Sequence, residues 1–82
     1  MTREEIYTAL DEVFREEFDD DTLHVTDATT ANDIEDWDSL EHINLVVAVE
    51  KRFHVKFTMA EVTGMKNVGE MVDILAERAK AN

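Results

Sequence analysis

Asp38-Ser39-Leu40-Glu41-His42-Ile43-Asn44-Leu45-Val46-Val47-Ala48-Val49-Glu50-Lys51-Arg52-Phe53 is the stretch on which the fold turns. Its spacing predicts a helix over 39–53, with Leu40, Ile43, Val46, Val47, Val49 and Phe53 as candidates for burial. Three valines and an isoleucine lower the helix propensity of this run and make a strand the competing local reading. The run outlasts an ordinary strand, starts at a capping residue and contains no turn signal, which decides for helix. Taken alone, Ser39 reads as the N-cap, satisfying an orphan N–H of the first turn and placing a hydroxyl at the surface.

Upstream, Ile6, Leu10, Val13, Phe14 and Phe18 recur at steps of one, three and four over residues 2–18, one face of an amphipathic helix. Thr2 and Glu5 form a capping-box pair at its start. Asp19-Asp20-Asp21 ends the periodicity, because like charges crowd a helix C-terminus of the same sign. Residues 19–37 then form a connection long enough to demand anchoring. Leu23, Val25, Ile34 and Trp37 are the residues expected to pin it across the bundle, with a short helical turn at 31–35.

Downstream, Thr58 and Glu61 form a second capping box for a short helix over 58–63, with Gly64 as its expected stop. Asn67 caps a last helix with Glu70 at its third position, and Val68, Met71, Val72, Leu75 and Ala79 recur along it. The predicted fold is all-α: a small four-helix bundle of three main helices and one short one, with a long loop between the first two. It is read as a single domain over 1–82.

With 82 residues the core is too thin for a deep catalytic cleft. No apolar run approaches the roughly 20 residues that span a bilayer, and Met1-Thr2-Arg3-Glu4-Glu5 does not open a signal peptide. A cytoplasmic protein without membrane insertion is the expectation. The absence of cysteine excludes disulfides, thiolate catalysis and Cys-ligated zinc, so any reactive thiol has to arrive on a cofactor. The net charge of −12 is lopsided: residues 1–41 hold 15 acidic and 2 basic side chains, residues 42–82 hold 5 and 6. Such a chain is repelled by nucleic acid and anionic membranes and attracted to basic patches on proteins.

Catalytic readings fail on spacing. Ser39, His42 and Asp38 are close in sequence, yet a serine at a helix start with a histidine three residues on gains neither an orienting partner nor an oxyanion hole. An EF-hand loop starting at Asp19 needs Gly where His24 stands and Glu where Thr30 stands. His24, His42 and His54 lack metal-ligand spacing and read as solvent-facing. No enzyme activity is expected.

The stretch 38–53, with Glu50 and Phe53 in a Glu-x-x-Phe-like ending, resembles the acyl carrier proteins of the phosphopantetheine-binding family. The short helix that follows and the start Asn67-Val68-Gly69-Glu70-Met71-Val72 extend the resemblance over nearly the whole chain. It implies that a phosphopantetheinyl transferase joins 4'-phosphopantetheine from coenzyme A to the Ser39 hydroxyl. Magnesium for that transfer would be held mainly by the transferase and the phosphates. Asp38 would support transferase docking and the metal, and also complement the helix N-terminus. Leu40, Glu41, Asn44 and Trp37 are the implied partner-contacting residues. The implied partners are the transferase, an acyl- or aminoacyl-loading ligase, and a downstream acyltransferase or synthase, served by a monomer. Asn44, Lys51 and Arg52 stand where carriers of fatty acid synthesis tend to be acidic, and Trp37 where those have a small residue. The Trp37-Asp38-Ser39-Leu40 form is similar to stand-alone specialised carriers. A carrier-like interaction module without the arm, binding a basic partner through the acidic half, is the alternative.

Overall fold

Four helices follow one another in a computed structural model that describes residues 1–79; the last three residues of the domain expected over 1–82 lie outside the described residues. They are α1 (Arg3–Glu17), α2 (Ser39–Phe53), the short α3 (Met59–Gly64) and α4 (Val68–Arg78), with one 3₁₀ turn (Ala31–Asp33) in the first connection. Among the described residues there is no strand. Three long helices and one short one, with a long loop after the first, is the architecture that the spacing predicts.

α1 begins at the expected capping box, with Thr2 Oγ1 accepting from Glu5 N and Glu5 Oε1 accepting from Thr2 N. It buries Ile6, Ala9, Leu10 and Phe14 and packs against both α2 and α4. Its end is set by Asp19 at φ 51°, whose left-handed turn lets Asp20 N reach back to Arg15 O at 3.0 Å. His54, at φ 57°, ends α2 in the same way, with Val55 N donating to Glu50 O. Neither glycine of the chain has positive φ. Gly64 is therefore the last residue of α3 rather than its stop; extended Met65 breaks the helix.

The long connection is held from both sides. Val25 and Ile34 enter the core, and Leu23 and Trp37 pack half-buried against it, as expected of these four. The buried Asp11 carboxylate of α1 accepts from Val25 N (2.8 Å) and contacts His24 Nδ1 (2.7 Å), while Arg15 Nε donates to Leu23 O (2.6 Å). At the far end, Val68 N and Gly69 N of α4 donate to Thr29 O (2.9 Å) and Asp27 O (3.1 Å). Arg78 closes the bundle by gripping both carboxylate oxygens of Glu61 at 2.6 Å and Lys56 O at 2.8 Å.

On α2 the predicted core face is met in part, at Val46, Val49 and Phe53. Leu45, Val46, Val49 and Phe53 are buried, whereas Leu40, Ile43 and Val47 are exposed at 72%, 45% and 42%. The helix carries two apolar stripes, roughly 140° apart at 3.6 residues per turn, and only one can meet α1. The stripe that does is continuous with His42, which stands three and four residues before Leu45 and Val46. His42 is accordingly half-buried instead of facing solvent.

Candidate functional site at the start of α2

Three backbone events place Ser39. Trp37 N donates to Ile34 O (3.3 Å), Asp36 takes a left-handed φ of 71°, and Asp38 N donates to Asp36 O (3.0 Å), so the chain turns sharply into α2. Asp38 then adopts extended geometry and is itself the N-cap, its Oδ1 accepting from Glu41 N at 2.8 Å. Ser39 is thus the first helical residue and not the cap. An aspartate caps as well as a serine and adds a charge that complements the helix N-terminus. The consequence is chemical: the Ser39 hydroxyl, spared from capping, is exposed and has no hydrogen-bond partner among the described residues.

Around it the predicted residues divide. Leu40 and Asn44 are exposed, Glu41 is half-buried, and Leu40 runs with Ile43 and Val47 along an outward apolar stripe. Met59, at the start of α3, adds a fourth exposed apolar side chain at 70%. Lys51 is exposed, while Arg52 is paired with Glu12 of α1 at 2.8 Å.

Trp37 turns inward. Its ring stands edge-on to Phe14 at 5.3 Å and 77°, and lies 6.0 Å from Phe18 and 5.9 Å from His42. Its Nε1–H donates to His42 Nδ1 at 3.2 Å, and His42 Nε2 lies 3.0 Å from Val62 O of α3. Both imidazole nitrogens are therefore engaged away from Ser39, and Ser39 and His42 form no nucleophile–base pair. Sequence reasoning missed this bridge. The available signal was the 42/45/46/49/53 spacing, which puts His42 on the core face.

A half-open cavity of ≈ 510 Å³ adjoins the serine, walled by Trp37, His42, Ile43, Val62, Met65 and Met71, with Ser39, Asp38 and Lys66 also along it. An exposed, unpartnered hydroxyl at a helix N-terminus suits a phosphodiester, because the free first-turn N–H groups and the helix dipole favour an anion. The adjoining apolar cavity suits a chain attached there. Among the described residues no cluster of His and carboxylates could hold a metal, and no helix is long and apolar enough to cross a membrane.

Comparison with known proteins gives concordant results. The family model described as "Phosphopantetheine attachment site" matches residues 8–75. A curated acyl carrier protein of Acidothermus cellulolyticus is 37% identical over 76 residues, covering 93% of this chain and 90% of that protein. One from Myxococcus xanthus is 35% identical over 74 residues, covering 90% and 94%. The solution structure of a holo acyl carrier protein from Geobacter metallireducens superposes with a TM-score of 0.84 at 41% identity, covering 92% of this chain and 86% of that one.

Proposed function

The chain belongs to the acyl carrier family of phosphopantetheine-attachment domains, non-catalytic carriers whose prosthetic group is 4'-phosphopantetheine, and from that premise we propose that Ser39 bears the arm and that the protein delivers an acyl or aminoacyl thioester to partner enzymes. The observation that carries this reading is the Ser39 hydroxyl itself, exposed and without a hydrogen-bond partner among the described residues at the first position of α2.

The prosthetic group, when bound, supplies the thiol that a chain without cysteine lacks. The protein's own residues do the rest. Asp38 holds the helix start in register through its bond to Glu41 N, so that Ser39 Oγ is presented outward to a transferase. The first-turn amides of α2 would stabilise the phosphodiester anion joined to that oxygen. Leu40, Ile43 and Val47 offer an apolar strip to the loading ligase and the downstream acyltransferase or synthase, with Glu41 and Asn44 beside it. Asn44 and Lys51 make this face less acidic than the rest of the surface, which supports a dedicated set of partners over those of general fatty acid synthesis. The carrier works as a cytoplasmic monomer.

Intact-protein mass spectrometry after incubation with coenzyme A, magnesium and a broad-specificity phosphopantetheinyl transferase tests the reading. One phosphopantetheine should be added to the wild type and none to Ser39→Ala. A folded wild type that stays unmodified with several transferases overturns it and leaves an interaction module for a basic partner.

A further inference from the structure

We propose that His42 is a positioning residue that clasps the loop to α3 across the cavity beside Ser39, and that its protonation opens the loop side of this clasp while keeping the α3 side. The two partners of the imidazole allow one neutral tautomer. An indole N–H can only donate and a backbone carbonyl can only accept. With Trp37 Nε1 3.2 Å from Nδ1 and Val62 O 3.0 Å from Nε2, the proton sits on Nε2 and the lone pair on Nδ1. His42 thereby joins Trp37, two residues before Ser39, to the carbonyl of the α3 residue that forms the opposite wall.

A second proton has only Nδ1 to go to, and there it faces the indole N–H. Two donors then meet where one hydrogen bond stood, and that bond is lost. The Nε2–H bond to Val62 O becomes charge-assisted and tightens. The charged groups lining the same space are Asp38 from the loop and Lys66 from the turn before α4; Val62 and Thr63 of α3 and Val68 and Met71 of α4 carry no charge. On α2 the carboxylate adjacent in sequence is that of Glu41, and Phe14 of α1 and Phe18 at its C-cap, whose rings pack on Trp37, are apolar. The titratable group hydrogen-bonded to the indole N–H is the imidazole. The clasp stands on the fold alone; its consequence, a looser cavity wall beside the arm when the imidazole is protonated, rests on the carrier reading.

Trp37 is the single tryptophan of the chain, so its emission reports this contact without background. The unmodified full-length protein is titrated from pH 8 down to pH 5, above its pI of ≈ 4.4, by fluorescence and by the indole N–H resonance, with far-ultraviolet circular dichroism alongside. A single transition that reports protonation of the imidazole is expected. Emission falls as the imidazolium quenches the ring, the indole resonance shifts, and helicity stays constant. His42→Gln offers an acceptor that does not titrate and should abolish the transition, while His24→Gln and His54→Gln retain it. A flat wild-type titration, or a transition that survives in His42→Gln, overturns the proposal. Should His42→Gln fail to fold, imidazole ¹⁵N shifts of the wild type decide, because an Nδ1–H tautomer at neutral pH is incompatible with the clasp. Using unmodified protein keeps this result independent of whether Ser39 accepts an arm.

Discussion

The starts of α2 and α4 use one device to opposite ends. Each is capped by a side-chain oxygen that accepts from the third helical N–H: Asp38 from Glu41 N at 2.8 Å, Asn67 from Glu70 N at 2.9 Å. At α4 the first two amides are also consumed, by Thr29 O and Asp27 O, and Val68 and Gly69 are buried beneath the loop. At α2 the corresponding residues are Ser39 and Leu40, both exposed, and their amides meet no acceptor among the described residues. A helix start covered by backbone is a structural joint; one left open is a place where chemistry can be attached. The loop that seals the first is the same one that delivers the second.

The sharpest way to break the closed start is Gly69→Ala. A Cβ there would stand 2.9 Å from Asp27 O and 3.1 Å from Asp27 Cβ, and the oxygen is a backbone atom already bonded to Gly69 N, so it cannot yield cheaply. Overpacking of this kind costs about 1–3 kcal/mol, offset by up to ~1 kcal/mol of helix propensity. A net loss of about 1–2 kcal/mol lowers the melting temperature by some 4–8 °C per kcal/mol in a domain of this size. Modification by a transferase at 25 °C should continue, since α2 is untouched. An unchanged melting temperature would mean that the loop is not seated on α4.

The two caps come next, at about 1 kcal/mol each on truncation to alanine. Asn67→Ala and Asp38→Ala should therefore melt alike, within a few degrees. Their modification kinetics should part: Asn67→Ala keeps the wild-type rate well below its melting temperature, and Asp38→Ala is several-fold slower. Asp38→Asn separates the causes, since asparagine caps as well but carries no charge. Slow modification with a normal melting curve assigns Asp38 to the transferase encounter, whereas a wild-type rate in all three variants confines it to capping.

This contrast was half legible in the sequence. Caps announce themselves locally, which is why Thr2, Thr58 and Asn67 were read correctly from a residue and its third neighbour. Ser39 reads as a cap in the sequence because Asp38 and Ser39 are both good caps and adjacent; in the structure Asp38 falls at the boundary, after the left-handed turn at Asp36. The burial predicted for α2 holds for Val46, Val49 and Phe53 and fails for Leu40, Ile43 and Val47, for a different reason. Its two apolar stripes have the same periodicity, and the choice between them belongs to α1, which no local pattern encodes. His42 reads as solvent-facing on its own, and only its spacing of three and four to Leu45 and Val46 places it on the core face, where Trp37 Nε1 and Val62 O meet its two nitrogens. The serine's role was legible through its neighbours; its freedom to react was visible only in three dimensions.

The smallest effect expected at neutral pH, and the finest probe of the closed start, is the titration of Tyr7. Asp27, whose carbonyl covers Gly69 N, is fixed through its carboxylate by the Tyr7 hydroxyl and by Arg3 Nη2 at 2.9 Å, and Arg3 Nη1 also reaches Asp73 of α4 at 3.0 Å. Burial, and then the bond to the Asp27 carboxylate, push the Tyr7 phenol from 10.0 up to about 12. Asp27 is correspondingly held below its ordinary 3.8, first by the Tyr7 hydroxyl and then by Arg3. For a phenol raised on folding, the unfolded chain loses its proton first as pH rises. The stabilisation is therefore intact below pH 10.0 and disappears as pH climbs towards about 12. The Asp27 contribution has the opposite sense, present above pH 3.8 and lost as acid carries the carboxylate through its lowered value. Tyr7 is the single tyrosine of the chain, so tyrosinate absorbance follows it directly. Asp27→Asn should move the midpoint down from about 12 but not fully to 10.0, because burial, the larger cause, remains. A wild-type midpoint at the ordinary value would remove the Tyr7 contact and leave Arg3 as the only side chain of α1 holding the Asp27 carboxylate among the described residues.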